Sequence, residues 1–599
     1  MSNIFNSVQA KIPKRHKFKL NHQAKLTGEM GQLLPIFCEE VIPSDRIRLS
    51  TQQLIRFAPL SAPIMSDIDC YLHAYFVPNR LIWKDWETHI TGSKNGKKLP
   101  DEEVPTRPKM VIPFTWINKT MKQVASNDKF SDGRRIASNG SLMDYLQFPT
   151  VKSNWQPSRL DDDYVIDELP LRAYQRIFFD WYRDENLSEF DDFELIDNDK
   201  FNNGRNELLD ASSEGITRAN LLMKLQMRAW KKDYFTSALP FAQKGDDVLI
   251  PGSGSVDFSN LKLSPITTDK SFRRDFTYNH DPTKPFTNQI SVQGGGIQAN
   301  MAATGSISNT NGEFTNSIRS GDNGYPFYLN TNNFIIEGSS GGQISEGTIR
   351  ELRRAMAAQR FLEREAVGGT RYIEQILSFF GVKSSDARLQ RAEYLGGSKQ
   401  PVVVSQVLQT SQTTTSGSDT SPLGQPAGNA VSAGGKYLFD RTFEEHGFVI
   451  ILMSVIPRAE YMNGYPRKYL KNDRFDYYWP QFAHIGEQEI QRQELNYNFF
   501  DDSNINEQTF GYTPRYAEYR FINSHVHGDF KDTLNYWTLV RDYGQDVPIL
   551  NEEFITCKPS TRIFAYEDDE NTPNFNHLWI QVGFNIDALR PLPKYGESI

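Results

Sequence analysis

The sequence predicts a mainly β protein whose long strands pair across large distances along the chain. Apolar residues run through three stretches, residues 69–77, 448–456 and 577–586, with the length and the β-branched and aromatic content typical of strands. A proline follows each of the first two stretches. Because strands this far apart must pair through long connections, the pattern is typical of Greek-key and jelly-roll sheets and not of βαβ units.

The first of these strands alternates strictly. Cys70, Leu72, Ala74 and Phe76 fall on one face, and Tyr71, His73, Tyr75 and Val77 fall on the other. Since neither set is polar throughout, both faces of this strand are expected to be buried or half-buried.

Two helices are predicted between the strands. Pro170 suits the first position of a helix, and Asp167 and Glu168 suit the positive end of its dipole. Apolar residues then recur on one face at Leu171, Tyr174, Ile177, Phe178 and Trp181, which predicts an amphipathic helix packed on the sheet. The second helix is expected to begin at Thr348, which forms a capping box with Glu351, and to end at Gly368 and Gly369.

The second helix carries a stripe of arginines. At 100° per residue its arginines fall within an arc of about 120°. They are Arg350, Arg353, Arg354, Arg360 and Arg364. Guanidinium groups aligned in this way favour partners that carry carboxylates or phosphates.

Composition limits the classes of function. A chain of 599 residues is longer than a single core normally supports, and it has no apolar run of the roughly 18 residues that a membrane span needs. The formal charge of −8 argues against a protein that coats DNA with its whole surface. Three widely spaced cysteines exclude a disulfide framework and a CxxC zinc pattern. Without a secretory signal, assembly in a cytoplasm is expected.

The N-terminal arm, residues 1–24, concentrates positive charge. Its basic residues include Lys11, Lys14, Arg15, Lys17 and Lys19, and they precede the first acidic residue, Glu29. A segment of one charge sign commonly neutralises phosphates, although a solvated tail without a partner is the alternative.

Two stretches of low complexity interrupt the pattern. Residues 285–312 contain no charged side chain, and residues 411–435 are rich in glycine and serine, which indicates a loop of weak intrinsic order. Residues 235–345 are interpreted as an insertion in one long loop of the fold.

No catalytic, cofactor or metal site is predicted. The string Gly338-Ser339-Ser340-Gly341-Gly342 fits G-x-S-x-G but lacks the helix that a nucleophile elbow needs directly after it. His525 and His527 could share one face of a strand, with His484 as a third ligand, yet no carboxylate or cysteine completes a metal set, so histidines on a strand surface are favoured.

Long blocks along the chain resemble one known family. They include KLTGEMGQLLPIFCEEVIPSDRIRLSTQQLIRFAPLSAPIM (25–65), LPLRAYQRIFFDWYRDENL (169–187), GTIRELRRAMAAQRFLEREAVGGTRYIEQILSFFGV (347–382), EHGFVIILMSV (445–455), FDYYWPQFAHIGEQEI (475–490) and FGYTPRYAEYR (510–520). In content and order they resemble the major capsid proteins of microviruses, the small circular single-stranded-DNA phages, and in particular their gokushovirus-like branch.

This resemblance implies a single eight-stranded antiparallel jelly roll with long loop insertions and a few helices. Residues 25–234 and 346–599 would form the jelly-roll core, and residues 235–345 a surface protrusion at the three-fold axis that attaches to a host-cell receptor. Sixty copies would close a T=1 icosahedral shell around a circular single-stranded DNA genome in the virion, after assembly in the bacterial cytoplasm and without membrane insertion.

The resemblance also suggests further partners, a small internal DNA-binding protein and an internal scaffolding protein. Within the shell the basic arm is the candidate DNA contact, and the arginine stripe is a candidate for subunit interfaces or for DNA. The alternative function is a jelly-roll carbohydrate-binding or carbohydrate-active protein, because a fold does not fix a function. The mass of the assembly discriminates between the two.

Overall fold

A computed structural model describes most of the chain. The described residues are 14–94, 97–100, 104–113, 119, 136–151, 163–188, 207–208, 221–245, 262–265, 276–278, 327–329, 334–337, 349–368, 378, 390–408, 426–500, 504–565 and 576–595. The chain divides into two compact units, one formed by Met1–Lys244 with Glu365–Ile599 and the other by Gly245–Arg364. The limits of 235 and 345 for the insertion stay a prediction.

Strands dominate the described part of the chain. In chain order they are β1 (His16–Lys19), β2 (His22–Gly28), β3 (Leu34–Val41), β4 (Arg46–Phe57), β5 (Ile68–Pro78), β6 (Ser93–Lys94), β7 (Lys97–Lys98), β8 (Lys109–Pro113), β9 (Asp163–Asp167), β10 (Glu207–Leu208), β11 (Lys262–Pro265), β12 (Phe276–Tyr278), β13 (Phe327–Leu329), β14 (Phe334–Glu337), β15 (Glu393–Pro401), β16 (Val403–Leu408), β17 (Pro426–Thr442), β18 (Gly447–Pro457), β19 (Glu460–Tyr461), β20 (Glu487–Gln491), β21 (Thr509–Pro514), β22 (Ser524–His525) and β23 (Leu578–Arg590).

The described helices are mostly short. They are α1 (Asn79–Ile82), α2 (Trp86–Thr91), α3 (Leu142–Tyr145), α4 (Leu169–Trp181), α5 (Ile349–Gly368), α6 (Arg492–Leu495) and α7 (Glu552–Ile555). Several single 3₁₀ turns connect the strands after Pro457. Within the described ranges, no helix has the length and apolar character required to cross a membrane.

Two large antiparallel sheets build the main core of the first unit. The six-stranded sheet has the order β1-β23-β4-β17-β16, with β2 also paired to β23, and the four-stranded sheet has the order β15-β5-β18-β3. Residues of both sheets belong to one hydrophobic core. The mainly β, antiparallel fold class is therefore confirmed, and so are the three predicted strands, as β5, β18 and β23. The number of eight strands stays a prediction.

The two central strands of the four-stranded sheet, β5 and β18, are buried or half-buried on both faces. Every residue of β18 is buried, and in β5 Cys70 lies on the face toward the six-stranded sheet, where Gln53 of β4 donates to its Sγ at 3.7 Å. The opposite face of β5 presents His73 and Tyr75 to Tyr182, whose hydroxyl lies 2.7 Å from His73 Nδ1 and 3.1 Å from the Tyr75 hydroxyl. As predicted, both faces of β5 are buried or half-buried.

Helix α4 covers this second face. It begins as predicted, with Pro170 in its first turn, and its apolar side packs against β5 and β18. Tyr174 fixes it further, because its buried hydroxyl donates to the Leu33 carbonyl at 2.8 Å. The amphipathic helix on the sheet is confirmed.

One sequence interpretation is wrong in part. Residues 426–435, placed by composition in a loop of weak intrinsic order, form the first half of strand β17, while residues 411–425 lie outside the described part. Tertiary contacts supply the order that composition does not. A Cβ at Gly428 would lie 2.5 Å from the Ala62 carbonyl oxygen, so the glycine lets the strand approach its neighbour closely.

A second, smaller core supports the region after β18. It contains Trp230, Phe235, Ile490, Phe510 and Phe554. Cys557 lies in this core and Cys70 in the main core, both as free thiols, while the free thiol of Cys38 is half-buried. Burial raises the pKa of the Cys70 thiol to about 12, so it stays protonated and unreactive at neutral pH.

Helix α5 belongs largely to the second unit. Its bounds agree with the predicted helix, which was expected to end at Gly368. The proposed cap, Thr348, and the stretches 285–312 and 338–342 lie outside the described residues.

Candidate interaction surfaces

Exposed aromatic side chains concentrate in the region that the second core supports. We call this set the aromatic surface. It comprises Tyr465, Tyr469, Phe475, Tyr477, Tyr478, Trp479, Tyr497, Phe499, Phe500, Tyr519 and Phe521. Phe499 and Phe500 are 78% and 72% exposed. Clusters of exposed apolar side chains mark interaction sites or aggregation-prone surfaces.

Local hydrogen bonds hold the centre of the aromatic surface in place. Asp473 and Asp476 form a capping box around a 3₁₀ turn, and the Trp479 indole Nε1 donates to the Arg474 carbonyl at 2.8 Å. The Tyr516 hydroxyl donates to the Tyr477 carbonyl at 3.2 Å. Side chains already held in one conformation lose little entropy on binding, so this arrangement favours association.

A lysine organises one group of these rings. The Lys471 ammonium lies 4.2 Å from the centre of the Tyr519 ring and 5.1 Å from that of Tyr477, and Tyr478 lies 6.2 Å from Tyr519. A second group is formed by Tyr465, Tyr469, Tyr497 and Phe499, whose neighbouring rings lie 4.8–6.4 Å apart. Cation–π and edge-to-face contacts of this kind add order to exposed rings.

A buried carboxylate anchors the base of this region. Glu494 accepts hydrogen bonds from the Tyr234 hydroxyl at 2.9 Å and from Arg467 at 2.9 Å. Burial raises the pKa of Glu494, and the charge of Arg467 opposes that rise. The pair ties the 3₁₀ turn Arg467–Tyr469 to α6, and so fixes the segment that carries Tyr465 and Tyr469.

The N-terminal candidates for DNA contact lie along one sheet edge where they are described. Lys11 falls outside the described residues, and Lys14 and Lys19 are exposed. Arg15 donates to Ser44 Oγ at 2.5 Å, and Lys17 Nζ lies 2.9 Å from Asp587. From residue 16 the predicted arm is a strand, β1, paired with β23. A role in DNA contact stays a prediction for these residues.

The arginine stripe is exposed. The side chains of Arg350, Arg353, Arg354, Arg360 and Arg364 all lie at the surface of α5. Leu352 and Met356, on the apolar face of the same helix, are exposed as well. The helix therefore offers both charged and apolar surface, and its assignment to subunit contacts or DNA stays a prediction.

The described histidines do not assemble a metal site. His525 and His527 have ring centres 6.1 Å apart, but the described residues contain no group of three or more histidine, cysteine or acidic side chains able to hold a metal ion. Burial, followed by the charge of His527, lowers the pKa of His525.

Sequence reasoning missed the aromatic surface. A signal was present in the runs Tyr477-Tyr478-Trp479 and Phe499-Phe500, which are strongly apolar but follow neither a helical nor a strand period. Apolar residues without a period that could bury them within the chain are candidates for burial against another molecule.

The similarity to known proteins extends over nearly the whole chain. A family model described as "Capsid protein (F protein)" matches residues 6–599. The chain is 34% identical to the capsid protein VP1 of Chlamydia phage 1, over 99% of this chain and 97% of that protein. It is 30% identical to the capsid protein VP1 of Bdellovibrio phage phiMH2K (98% and 96% covered) and 28% identical to that of Spiroplasma virus 4 (97% and 94% covered).

Proposed function

Because the chain belongs to the phage capsid protein (F protein) family, and is a structural protein of the virion and not an enzyme, we propose that sixty copies close a T=1 icosahedral shell around a circular single-stranded DNA genome. The observation that carries this proposal is the aromatic surface, which we assign to contacts between copies of the chain. Sixty chains of 68.7 kDa give a shell of about 4.1 MDa.

Physical reasons favour a second copy as the occupant of the aromatic surface. Tyrosine, tryptophan and phenylalanine are enriched in protein interfaces and supply most of the residues that dominate binding energy. Here they occur on segments already fixed by capping, hydrogen bonds and the buried Glu494–Arg467 pair. Contacts repeated about symmetry axes would cover this surface in every subunit at once.

Particle formation tests the shell. We expect the purified parent protein to sediment as a particle of MDa mass, and the variant Phe499→Ser/Phe500→Ser to sediment as small oligomers with unchanged circular dichroism. The matched control is Met65→Ser/Val403→Ser, because both residues are 66% exposed outside the aromatic surface. Normal particles from the phenylalanine variant, or equal defects in both variants, would contradict the assignment.

The basic arm is proposed to contact the genome at the inner wall. Closely spaced phosphates release counterions when several lysines and arginines bind together. We expect replacement of Lys11, Lys14, Arg15, Lys17 and Lys19 by glutamine to reduce the packaged DNA and to flatten the salt dependence of DNA binding. Particles with a normal genome and an unchanged salt response would exclude that role.

The insertion, residues 235–345, is proposed as the exposed protrusion at the three-fold axis that attaches to a host receptor. Its support is compositional, because a charge-free stretch such as residues 285–312 cannot supply a core of its own. Limited proteolysis of intact particles should cut within it first. Protection in intact particles, combined with cleavage after disassembly, would place it on the inside.

The remaining partners rest on the family resemblance. A small internal DNA-binding protein, an internal scaffolding protein and assembly in the bacterial cytoplasm are proposed on that basis. Purification of particles and of assembly intermediates, with identification of every protein they contain, tests these partners directly.

A further inference from the structure

The outward face of the six-stranded sheet is exposed. We call it the open face. Its members include Lys17, Lys19, Lys25, Arg46, Arg48, Arg56, Tyr437, Asp440, Trp579, Gln581, Asn585 and Asp587, which follow the alternation of β1, β2, β4, β17 and β23. In β4 and β23 the residues between them are buried in the core, whereas these point away from it.

The open face carries an excess of positive charge. Its outward carboxylates along these strands are Asp440 and Asp587. Arg46 and Arg48 both bind Asp440, at 2.8 and 3.0 Å, and Lys17 binds Asp587 at 2.9 Å. Within the described residues, the side chains of Lys19, Lys25 and Arg56 make no ion pair. Cations therefore remain available to a ligand, on a chain whose formal charge is −8.

Two exposed aromatic rings lie among these cations. Trp579, 42% exposed, stands directly opposite Arg56 in the register of β23 and β4. Tyr437, 50% exposed, stands opposite Ser50 on the other side of β4. A ring beside a cation offers a stacking surface for a base and a charge for the adjoining phosphate.

We propose that the open face is a binding platform for single-stranded DNA, with bases stacked on Trp579 and Tyr437 and phosphates bound by Lys19, Lys25 and Arg56. The proposal rests on the proposed function, in which single-stranded DNA lies against the shell. Binding is independent of sequence, because every base has a face that can stack. The outward residues of β4 from Arg46 to Arg56 span about 33 Å, which gives room for several nucleotides.

An acidic protein segment is the competing occupant, and the aromatic rings argue for DNA. Carboxylates would satisfy the lysines and Arg56, but they would leave the Trp579 ring without a flat partner. Stacking on a base uses the ring and the neighbouring guanidinium together.

Fluorescence anisotropy with fluorescein-labelled oligo(dT) and the full-length chain, dissociated where it has formed particles, tests the platform. Trp579→Ala should weaken binding by about tenfold, and Trp579→Phe should restore most of the affinity because phenylalanine also stacks. Lys25→Gln and Arg56→Gln should each lower the slope of log affinity against log salt by about 0.7. The matched control is Tyr394→Ala, because Tyr394 is 44% exposed, close to the 42% of Trp579, and lies on β15 of the four-stranded sheet, so this variant should bind as the parent does.

Oligo(dT) binding by Trp579→Ala and Arg56→Gln that equals that of the parent would overturn the proposal. If the same variants also failed to form particles, the open face would be a protein contact. Sedimentation of the parent tests shell formation separately. If no particles formed, the proposed shell would be rejected, and the anisotropy data would still test whether the open face binds single-stranded DNA.

Discussion

The two sheets of the first unit share one core but differ on their other faces. The four-stranded sheet is covered by α4, and β18 is buried along its whole length. The six-stranded sheet alternates buried and outward residues, and its outward side chains are largely polar and charged. The ion pair Arg172–Glu168 at the covered sheet is buried, whereas Lys19, Lys25 and Arg56 on the open face are exposed.

This difference separates stability from recognition. A side chain buried under α4 has a fixed set of neighbours, so its replacement acts on the folding free energy. A side chain on the open face has water as its main neighbour, so its replacement acts on binding to other molecules. The comparison predicts that variants of the two sheets will affect different measurements.

The largest expected effect is on the buried ion pair of α4. Arg172 donates to Glu168 at 2.7 and 2.9 Å and to the Ile82 carbonyl at 3.0 Å, and the two charged side chains are 1% and 4% exposed. Because Arg172→Ala removes the guanidinium that pairs with the buried Glu168 charge, we expect the free energy of unfolding in urea to fall by about 3–5 kcal/mol.

Arg46→Ala on the open face is the matched control for that loss. It also removes an arginine from a carboxylate, but Asp440 keeps its ion pair with the exposed Arg48 and is itself only partly buried. A far smaller change in unfolding is expected. Similar losses for the two arginine variants would show that the two sheets do not differ in the way described.

Two leucine variants, one in each sheet, test the same comparison without removing a charge. Leu452 of β18 is buried on the side of α4, so Leu452→Ala should cost about 2–5 kcal/mol of unfolding free energy. Leu54 lies on the outward side of β4 and is half-buried, so Leu54→Ala should cost about 1 kcal/mol or less. Urea denaturation of both variants measures the difference. Equal costs would mean that the outward side of β4 is covered after all.

The sequence predicts those elements whose buried apolar residues follow a regular local pattern. β5, β18 and α4 were predicted because alternation, a continuous apolar run and helical spacing each imply one arrangement. The first half of β17 was not, because its glycine-rich composition is typical of loops. Its order comes from pairing with β4 and from the close approach at Gly428, which depend on distant parts of the chain.

The open face could not be read from the sequence for a related reason. Trp579 and Arg56 become neighbours only through the register of β23 with β4, which local pattern does not determine. The basic arm was visible because its charges are consecutive. The cations of β4 were hidden because buried residues alternate with them.

A third comparison concerns the dependence of stability on pH in the covered sheet. Burial, followed by the charge of Arg228, lowers the pKa of His73 to about 4. The other groups around it are Tyr71, Tyr75, Tyr182 and Tyr394, which burial keeps neutral in this range by raising their pKa values. Between pH 6.5 and 4 the unfolded chain therefore binds a proton at this histidine that the folded chain does not, so the stability contribution is complete above pH 6.5 and is lost as the pH falls toward 4.

That loss amounts to at most about 3 kcal/mol. His73→Gln cannot take up the proton, yet its amide can still pair with the Tyr182 hydroxyl that lies 2.7 Å from His73 Nδ1 in the parent. The variant should therefore show a shallower decline of unfolding free energy between pH 6.5 and 4 when both proteins are titrated with urea at a series of pH values. Parallel declines in the two proteins would mean that His73 takes up its proton in the folded state as readily as in the unfolded chain, and that the cover provided by α4 does not exclude charge from this face of the sheet.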